Sequence, residues 1–510
     1  MPKEKIDKTG FLKNVLRKSL RSKLARGSIW LTGGNFAEQG LRFTRNIVLT
    51  RLMCPDDLGL MTIILGINNG LEAFTQVGIK EAVIQNSESE NIEFQNAAWW
   101  LSFIRATALL LTGIAITPLL VKFFNISFTP IILVVSFLHI LFANIISPAA
   151  FVSLKRMNYS KWVIISQGGS ILGVLTTIII VYICKNPWGL IIGYVCEAGF
   201  KMILSFILCP FKIKLKINPV YAKSLLQFSR GMIGLPLLFF IYQSADIFVV
   251  GKFFSKYEVG LYGMARSLAR NPTLLTSVLV GPLLMPLLSK HQDSFQKTNN
   301  ILLISTFALS ALTSPFVILA IFFGKELLSI IYGSQYMVMA VPFAVILSVT
   351  ILQMISSPVT TAFIAGGKPQ YHRFFTLVRA VLMICLIFPA VRFYGLNGAA
   401  AAGLVSMCIA FIFQCRKINS ITGINIADYL KAFGVPFILS LAVLILAFLF
   451  SHEIRAPHAK IIVGLSFCVI PWILSVKTFL KMKKTAELSN ETGKAGLVSE
   501  KSSYSKFKIV

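Results

Sequence analysis

The sequence predicts an all-α polytopic membrane protein of about 14 transmembrane helices, with two six-helix repeat lobes around a central cavity plus two C-terminal helices. Three observations predict it. Of the 510 residues 55% are hydrophobic and only 14% are charged, with a mean hydropathy of +0.75, a balance that soluble domains do not reach. The apolar runs are long enough for α-helices to cross about 30 Å of hydrocarbon at about 1.5 Å per residue, which excludes a β-barrel. Finally, the order of residue types around Arg51 to Leu60 recurs 201 residues later, around Lys252 to Leu261.

The repeat is faint at each position and consistent along its length. Val48 falls on Val249, Arg51 on Lys252, Asp57 on Glu258, and Gly59-Leu60 on Gly260-Leu261. At the same offset Ser28 falls on Ser229, Gly33 on Gly234, Thr75 on Thr276, Val77 on Val278, Arg45 on Asp246 and Asn69 on Arg270. Ser147-Pro148 and Ser357-Pro358, then Trp188-Gly189-Leu190 and Tyr394-Gly395-Leu396, keep the order at slightly longer offsets. A duplicated block of about 200 residues is the economical reading, and in membrane proteins such halves enclose the transport site.

In chain order, residues 1–26 carry nine Lys/Arg against two acids and have no apolar signal-peptide core. Leu12, Leu16, Leu20 and Leu24 recur every four residues among the cations, the pattern of a basic amphipathic helix on an anionic inner leaflet. The opening span from Gly27 is unusually polar: Glu38, Arg42 and Arg45 are spaced by four and three, so they share one helix face. Charges at membrane depth face a bundle interior or a wet cavity, and they mark functional sites. Further spans are expected near 57–82, 94–120, 128–153, 160–184 and 187–209, completing a first lobe over 27–216. The second lobe, 217–420, has spans near 224–252, 257–289, 298–323, 336–364, 370–394 and 396–416. Two helices without a repeat counterpart, near 430–451 and 459–480, fill 421–484, and residues 485–510 form a polar tail expected to be disordered.

Lys and Arg in the short connections set the orientation. Lys155, Arg156, Lys161, Lys212, Lys214, Lys216, Lys223, Lys290, Lys297, Lys368, Arg373, Arg416, Lys417 and Lys431 all fall on one side, with both termini. That side is cytoplasmic, in a bacterial inner membrane. The connection around Ser87 to Glu93 is acidic and departs from the pattern. The net charge of +29 is explained by this bias rather than by a nucleic-acid partner. Eight scattered cysteines and the lack of paired histidines predict buried thiols, with no disulfide, metal or cofactor.

Three motifs carry a family resemblance: Leu49-Thr-Arg-Leu-Met-Cys-Pro-Asp-Asp-Leu-Gly-Leu60, Val77-Gly-Ile-Lys-Glu-Ala-Val-Ile-Gln85, and Pro282-Leu-Leu-Met-Pro-Leu-Leu-Ser-Lys290 with Gln292-Asp293. The chain resembles a bacterial polysaccharide repeat-unit flippase of the Wzx type, in the superfamily that also holds the peptidoglycan-precursor flippase and the multidrug and toxin extrusion antiporters. The resemblance implies export of a polyprenyl-diphosphate-linked oligosaccharide, not enzymatic chemistry, with membrane lipids, a polysaccharide polymerase and a chain-length regulator as partners. An ion-coupled multidrug antiporter of the same fold is the alternative, but it would need acidic coupling residues rather than an arginine surplus.

The candidate substrate residues follow from the headgroup's chemistry. A diphosphate needs fixed cations, and arginine supplies a planar fork that stays charged. Arg42 and Arg45 on the first span, and Arg266 and Arg270 on the eighth, lie two to three turns from the outer ends of their helices. Tyr262 shares a face with Arg266 and Arg270, and Asn69 sits at the repeat position of Arg270. Asp246 and Glu72 are candidates for gating or coupling, or for pairing with the arginines. Glu197 and Lys201, four apart, read as a self-neutralising pair, while Arg105, His139 and Arg379 are lone polar residues in apolar spans.

Overall fold

The computed structural model describes residues 23–75, 78–125, 130–232, 234–273, 276, 283–291, 294–451, 453–454 and 456–496. The basic segment before residue 23, Val77, Val278, Pro282 with Gln292-Asp293, and the last residues of the tail lie outside them. The chain divides into two compact units, residues 1–264 with 383–399, and residues 265–382 with 400–510. Every described element is helical.

The first unit contains α1 (Lys23–Leu52), α2 (Pro55–Thr75), the short α3 (Ile79–Gln85), α4 (Ile92–Phe123), α5 (Ile131–Ser136), α6 (Leu138–Asn144), α7 (Pro148–Lys155), α8 (Tyr159–Cys184), α9 (Pro187–Leu208), α10 (Pro219–Met232) and α11 (Leu235–Phe253). Helix α12 (Lys256–Arg270) runs out of it. Proline opens many of these helices because its missing N–H is unneeded in the first turn and its φ is already helical. Helix α2 buries Leu58, Leu60, Ile63, Ile64 and Ile67, the apolar stripe that its sequence displays. Helices α8 and α9 form an antiparallel hairpin, and α8 contains a π turn at Ile164–Gly168.

Three departures from straight spans matter. The span expected at 128–153 is broken: α5 and α6 together meet α7 at 47°. Pro148 cannot continue the helical hydrogen-bond ladder, and the freed groups find side chains instead. The Ser147 N–H donates to Ser205 Oγ at 2.9 Å, and the Ser147 hydroxyl donates to the Cys209 carbonyl at 2.7 Å. The stretch expected as one helix at 224–252 is split between α10 and α11 by Gly234, whose φ of 98° suits glycine. The acidic connection is a 3-10 turn, Ser87–Glu90, whose charge is met locally: Arg156 grips Glu90 through two bonds of 2.8 Å, and Lys155 donates to Ser89 and to the Asn86 carbonyl.

Helices α2 and α12 cross with their backbones in contact. A Cβ on Gly59 would lie 1.9 Å from the Lys256 carbonyl oxygen, and one on Gly260 would lie 1.9 Å from that of Pro55. Gly59 and Gly260 are repeat mates, and so are Pro55 and Lys256. The contact is therefore reciprocal: each glycine meets the residue four positions before the other.

The second unit contains α13 (Met285–Lys290), α14 (Phe295–Ile331), α15 (Ala340–Ala365), most of α16 (Pro369–Thr422), α17 (Ile426–Ser451) and α18 (Pro457–Gly496). Phe323 breaks α14, and Gly395, at φ 57° and ψ −137°, breaks the 54-residue α16 into two helices. Helices α17 and α18 pack on α14 through Ile318, Leu319, Phe323, Leu444, Ala447 and Cys468. Helix α18 continues past residue 484 to Gly496, through helix formers such as Ala486, Glu487 and Leu488.

Ten helices among the described residues are long and apolar enough to cross a membrane, or eleven with the bent pair. The protein is thus a multi-pass membrane protein. Helix α1 is not among the ten, because Lys23, Arg26, Glu38, Arg42, Arg45 and Arg51 interrupt its apolar residues. The eight cysteines are free, but the expectation of buried thiols holds only for Cys209, Cys415 and Cys468: Cys196 and Cys408 are half-buried, and Cys54, Cys184 and Cys385 are exposed, at helix ends or on an outer helix face.

Candidate functional site

Helix α1 places Glu38 and Arg42 one turn apart, and the Arg42 Nε donates to Glu38 Oε1 at 3.1 Å. Its Nη2 donates to Ser170 Oγ at 3.3 Å and to Glu197 Oε1. That single carboxylate oxygen also accepts from Ser170 Oγ at 3.0 Å and from Lys201 Nζ at 2.8 Å. Two cations and two carboxylates thus neutralise each other, with Glu197 the most deeply placed at 6% side-chain exposure against 27% for Arg42. Neutrality makes burial tolerable, since an unpaired charge at this depth would be expensive. Among the described residues Arg42 Nη1 has no hydrogen-bond partner, so part of its five-donor fork remains for a ligand.

The hairpin geometry explains how Glu197 reaches this position. Gly173 on α8 faces Glu197 on α9 so closely that a Cβ there would lie 2.4 Å from the Glu197 Cβ. The π turn just before Ser170 turns Gln167 toward α1, where it donates to Asn35 Oδ1 at 2.9 Å. Such turns often occur at functional sites, because one extra residue re-aims the side chains that follow.

A second polar cluster lies in the same unit. Arg105 on α4 donates to Thr75 Oγ1 at 3.1 Å, to Asn144 Oδ1 at 2.8 Å and to the Glu72 carbonyl at 3.2 Å. The Asn144 amide donates in turn to Glu72 Oε1 at 3.2 Å. Asn144 is the last residue of α6, so the break after it presents this amide. The His139 ring stacks on Tyr194 at 3.7 Å and 8°, and Tyr194 stands three residues before Glu197 on α9. The His139 Nδ1 is buried with no partner among the described residues.

Other predicted residues fall elsewhere. Tyr262 is buried, and its hydroxyl donates to Asp246 Oδ2 at 3.0 Å, so these two form a pair. Arg45 donates to Asn46 Oδ1 at 3.3 Å. Arg266 and Arg270 are half-buried on α12, in the second unit. Asn69 is exposed, whereas its neighbour Asn68 is buried and donates to Ser136 Oγ at 3.0 Å. Arg379 donates to Gln353 Oε1 at 3.5 Å within the second unit.

Sequence reasoning leaves Glu38, Glu72 and Asp246 open as partners of the arginines, and the structure gives Arg42 Glu38 and Glu197. It misses Ser170, Asn144, Thr75 and Tyr194. A local signal exists only for Ser170, in the Gly168-Gly169-Ser170 step of an apolar span. For Glu197, the four-residue spacing to Lys201 gives half of the answer.

Comparison with known proteins agrees with this architecture. Residues 48–341 match a family described as "Polysaccharide biosynthesis protein". The chain is similar to an uncharacterized membrane protein in the cps region of Klebsiella pneumoniae, 20% identical over 84% of this chain and 89% of that protein. The lipopolysaccharide biosynthesis protein WzxC of Escherichia coli K12 is 19% identical over 84% and 88%. Among solved structures, the lipid II flippase MurJ in an inward closed conformation matches with a TM-score of 0.69 and 15% identity over 88% of this chain and 99% of that one. An inward-facing MATE-family multidrug resistance transporter matches at 0.56 and 13%, over 76% and 96%. At these identities the structural matches speak to the fold alone.

Proposed function

The chain belongs to the polysaccharide biosynthesis protein family, and from that premise we propose that it is a flippase for polyprenyl-diphosphate-linked oligosaccharide repeat units. It carries them from the cytoplasmic to the outer leaflet by alternating access, for surface polysaccharide biosynthesis. The names of its relatives support this, among them the succinoglycan biosynthesis transport protein ExoT of Rhizobium meliloti, 19% identical over 72% of this chain. So does the MurJ-like fold.

The observation that carries the reading is Arg42. A guanidinium on a membrane-spanning helix is held between Glu38 and Glu197 with donors to spare. A diphosphate can take Arg42 from Glu197 without orphaning that carboxylate, because Ser170 and Lys201 still donate to it. The exchange gives the bound and empty states different contacts, which a ligand-driven conformational change requires. Arg45, Arg266, Arg270, Asn69 and Tyr262 complete the proposed substrate set from their placement on α1, α2 and α12. Asp246 and Glu72 are proposed for gating or coupling, and the Tyr262–Asp246 bond suits a latch.

The topology we propose has fourteen crossings: the eleven apolar ones become fourteen when α16 counts twice across Gly395 and the polar α1 and α12 each take one. Two six-helix lobes, 27–216 and 217–420, are followed by the two extra helices. Both termini are cytoplasmic in a bacterial inner membrane. A polymerase and a chain-length regulator are the proposed partners downstream. An inside-negative potential favours outward movement of an anionic headgroup by about 2.3 kcal/mol per charge per 100 mV.

The test is export in cells lacking the protein. Arg42→Ala, Arg45→Ala, Arg266→Ala and Arg270→Ala should each abolish or sharply reduce polysaccharide assembly at normal membrane abundance. Lysine should rescue only in part, since it lacks the bidentate fork. Full assembly in all four alanine variants would make the arginines structural and overturn the site. Efflux of cationic dyes without polysaccharide export would favour the antiporter instead.

A further inference from the structure

The two ends of α16 meet in the second unit and line an open groove of about 560 Å³, to which Gln370 and Ser420 also contribute. Tyr371, Phe374 and Phe375 from its opening turns face Phe413, Arg416 and Lys417 from its closing turns. Phe375 is buried at 3% exposure, whereas Phe374 and Phe413 remain 54% and 43% exposed. The Lys417 ammonium sits 4.5 Å from the centroid of the Tyr371 ring, which fixes one cation at the mouth. The stretches 366–375 and 411–422 hold Lys368, Arg373, Arg416 and Lys417 and contain no Asp or Glu. The groove therefore has aromatic walls with the polar Gln370 and Ser420 among them, and its charged lining residues, Arg416 and Lys417, are both cationic.

Its depth and size narrow the occupant. The lining residues lie within about two turns of the helix ends, roughly 10 Å, where lipid headgroups meet acyl chains. Its volume falls in the range of about 300–1,000 Å³ that holds a small amphiphile. A soluble anion would leave the aromatic walls unused, and a zwitterionic lipid would not repay two cations. We propose that this groove binds an anionic glycerophospholipid, with its phosphodiester against Arg416 and Lys417 and its chains along Phe374 and Phe413. The lipid then ties the opening and closing turns of α16 together.

Native mass spectrometry of the full-length protein, with phosphatidylglycerol, phosphatidylcholine, polyprenyl phosphate and inorganic phosphate as probes, tests this. Phosphatidylglycerol should be retained in preference to phosphatidylcholine, and the R416A/K417A double variant should lose that preference by roughly tenfold or more. R416K/K417R should keep it, and the single variants Arg416→Gln and Lys417→Gln, each expected to weaken it, replace the double variant should that not accumulate. Equal phosphatidylglycerol binding by wild type and the charge-removed variants would overturn the proposal. So would equally tight phosphatidylcholine, displacement by inorganic phosphate alone, or displacement by polyprenyl phosphate, which would assign the groove to the transported lipid.

Discussion

Glu197 shows how one carboxylate oxygen can organise a membrane interior. It accepts from Arg42, Ser170 and Lys201 at once, from three different helices. Removing it would leave Lys201 without a carboxylate and Arg42 with Glu38 alone, and breaking such a buried arrangement costs about 3–5 kcal/mol in soluble proteins. Glu197→Ala should therefore lower the thermal unfolding midpoint of the purified protein much more than Glu38→Ala, whose loss leaves Arg42 with Glu197. Equal midpoints in a fluorescence melt would show that Glu197 is not the keystone. Ser170→Ala should cost about 1 kcal/mol, the scale of one hydrogen bond. At this scale the sequence was half legible. Glu38 and Arg42 declare themselves by helical spacing, but Glu197 stands 155 residues from Arg42, and only the α8–α9 packing at Gly173 brings it there.

Breaks in helices do as much as the helices themselves. The 47° bend after Asn144 presents that amide to Glu72 and Arg105, and Ser205 satisfies the backbone N–H freed at Ser147. Ser205→Ala should orphan that buried group and destabilise by about 1–3 kcal/mol, read as a lower unfolding midpoint; Ser205→Thr, which keeps the hydroxyl, should cost less. The Ser147-Pro148 step was visible in the sequence, but a proline inside an apolar run does not reveal how far the chain bends. The acidic turn likewise became intelligible only with its partners in place. Arg156, first by its hydrogen bonds and then by its charge, holds the Glu90 carboxyl below its ordinary range. A carboxylate lowered on folding contributes stability that is present above its unfolded pKa and is lost as pH falls through the lowered folded value. Arg156→Ala should flatten this acid-side dependence of the unfolding midpoint while leaving export intact. An unchanged slope would remove Glu90 from the acid response.

For the whole molecule, fold class and the position of most spans were legible because hydrophobic runs of membrane length are hard to mistake. The polar opening span was recoverable only through the repeat. Its mate at the 201-residue offset is the seventh span, which ends in α11 and is apolar enough to declare itself, whereas α1 is missing from a selection by apolarity. The reciprocal crossing at Gly59 and Gly260 puts the first turns of α2 and α12 side by side. Cysteines at Pro55 and Lys256 should therefore label from the same side of the membrane, the outer side in intact cells. Labelling from opposite sides would break the repeat as well as the topology. Gly59→Ala and Gly260→Ala should each reduce export by forcing the helices apart. The double variant should do little more than either one, because neighbouring changes at a crossing that is already open are not additive.

A contact in which Gly59 meets the mate of Pro55 while Gly260 meets Pro55 itself is the pattern of a homodimer interface, here carried inside one polypeptide. The two positions then behave as a single inherited character. A larger residue at 59 is felt at the start of α12, and one at 260 is felt at the start of α2. Relatives that accept bulk at one position should show compensation at the other, and independent variation of the two sites would deny the coupling.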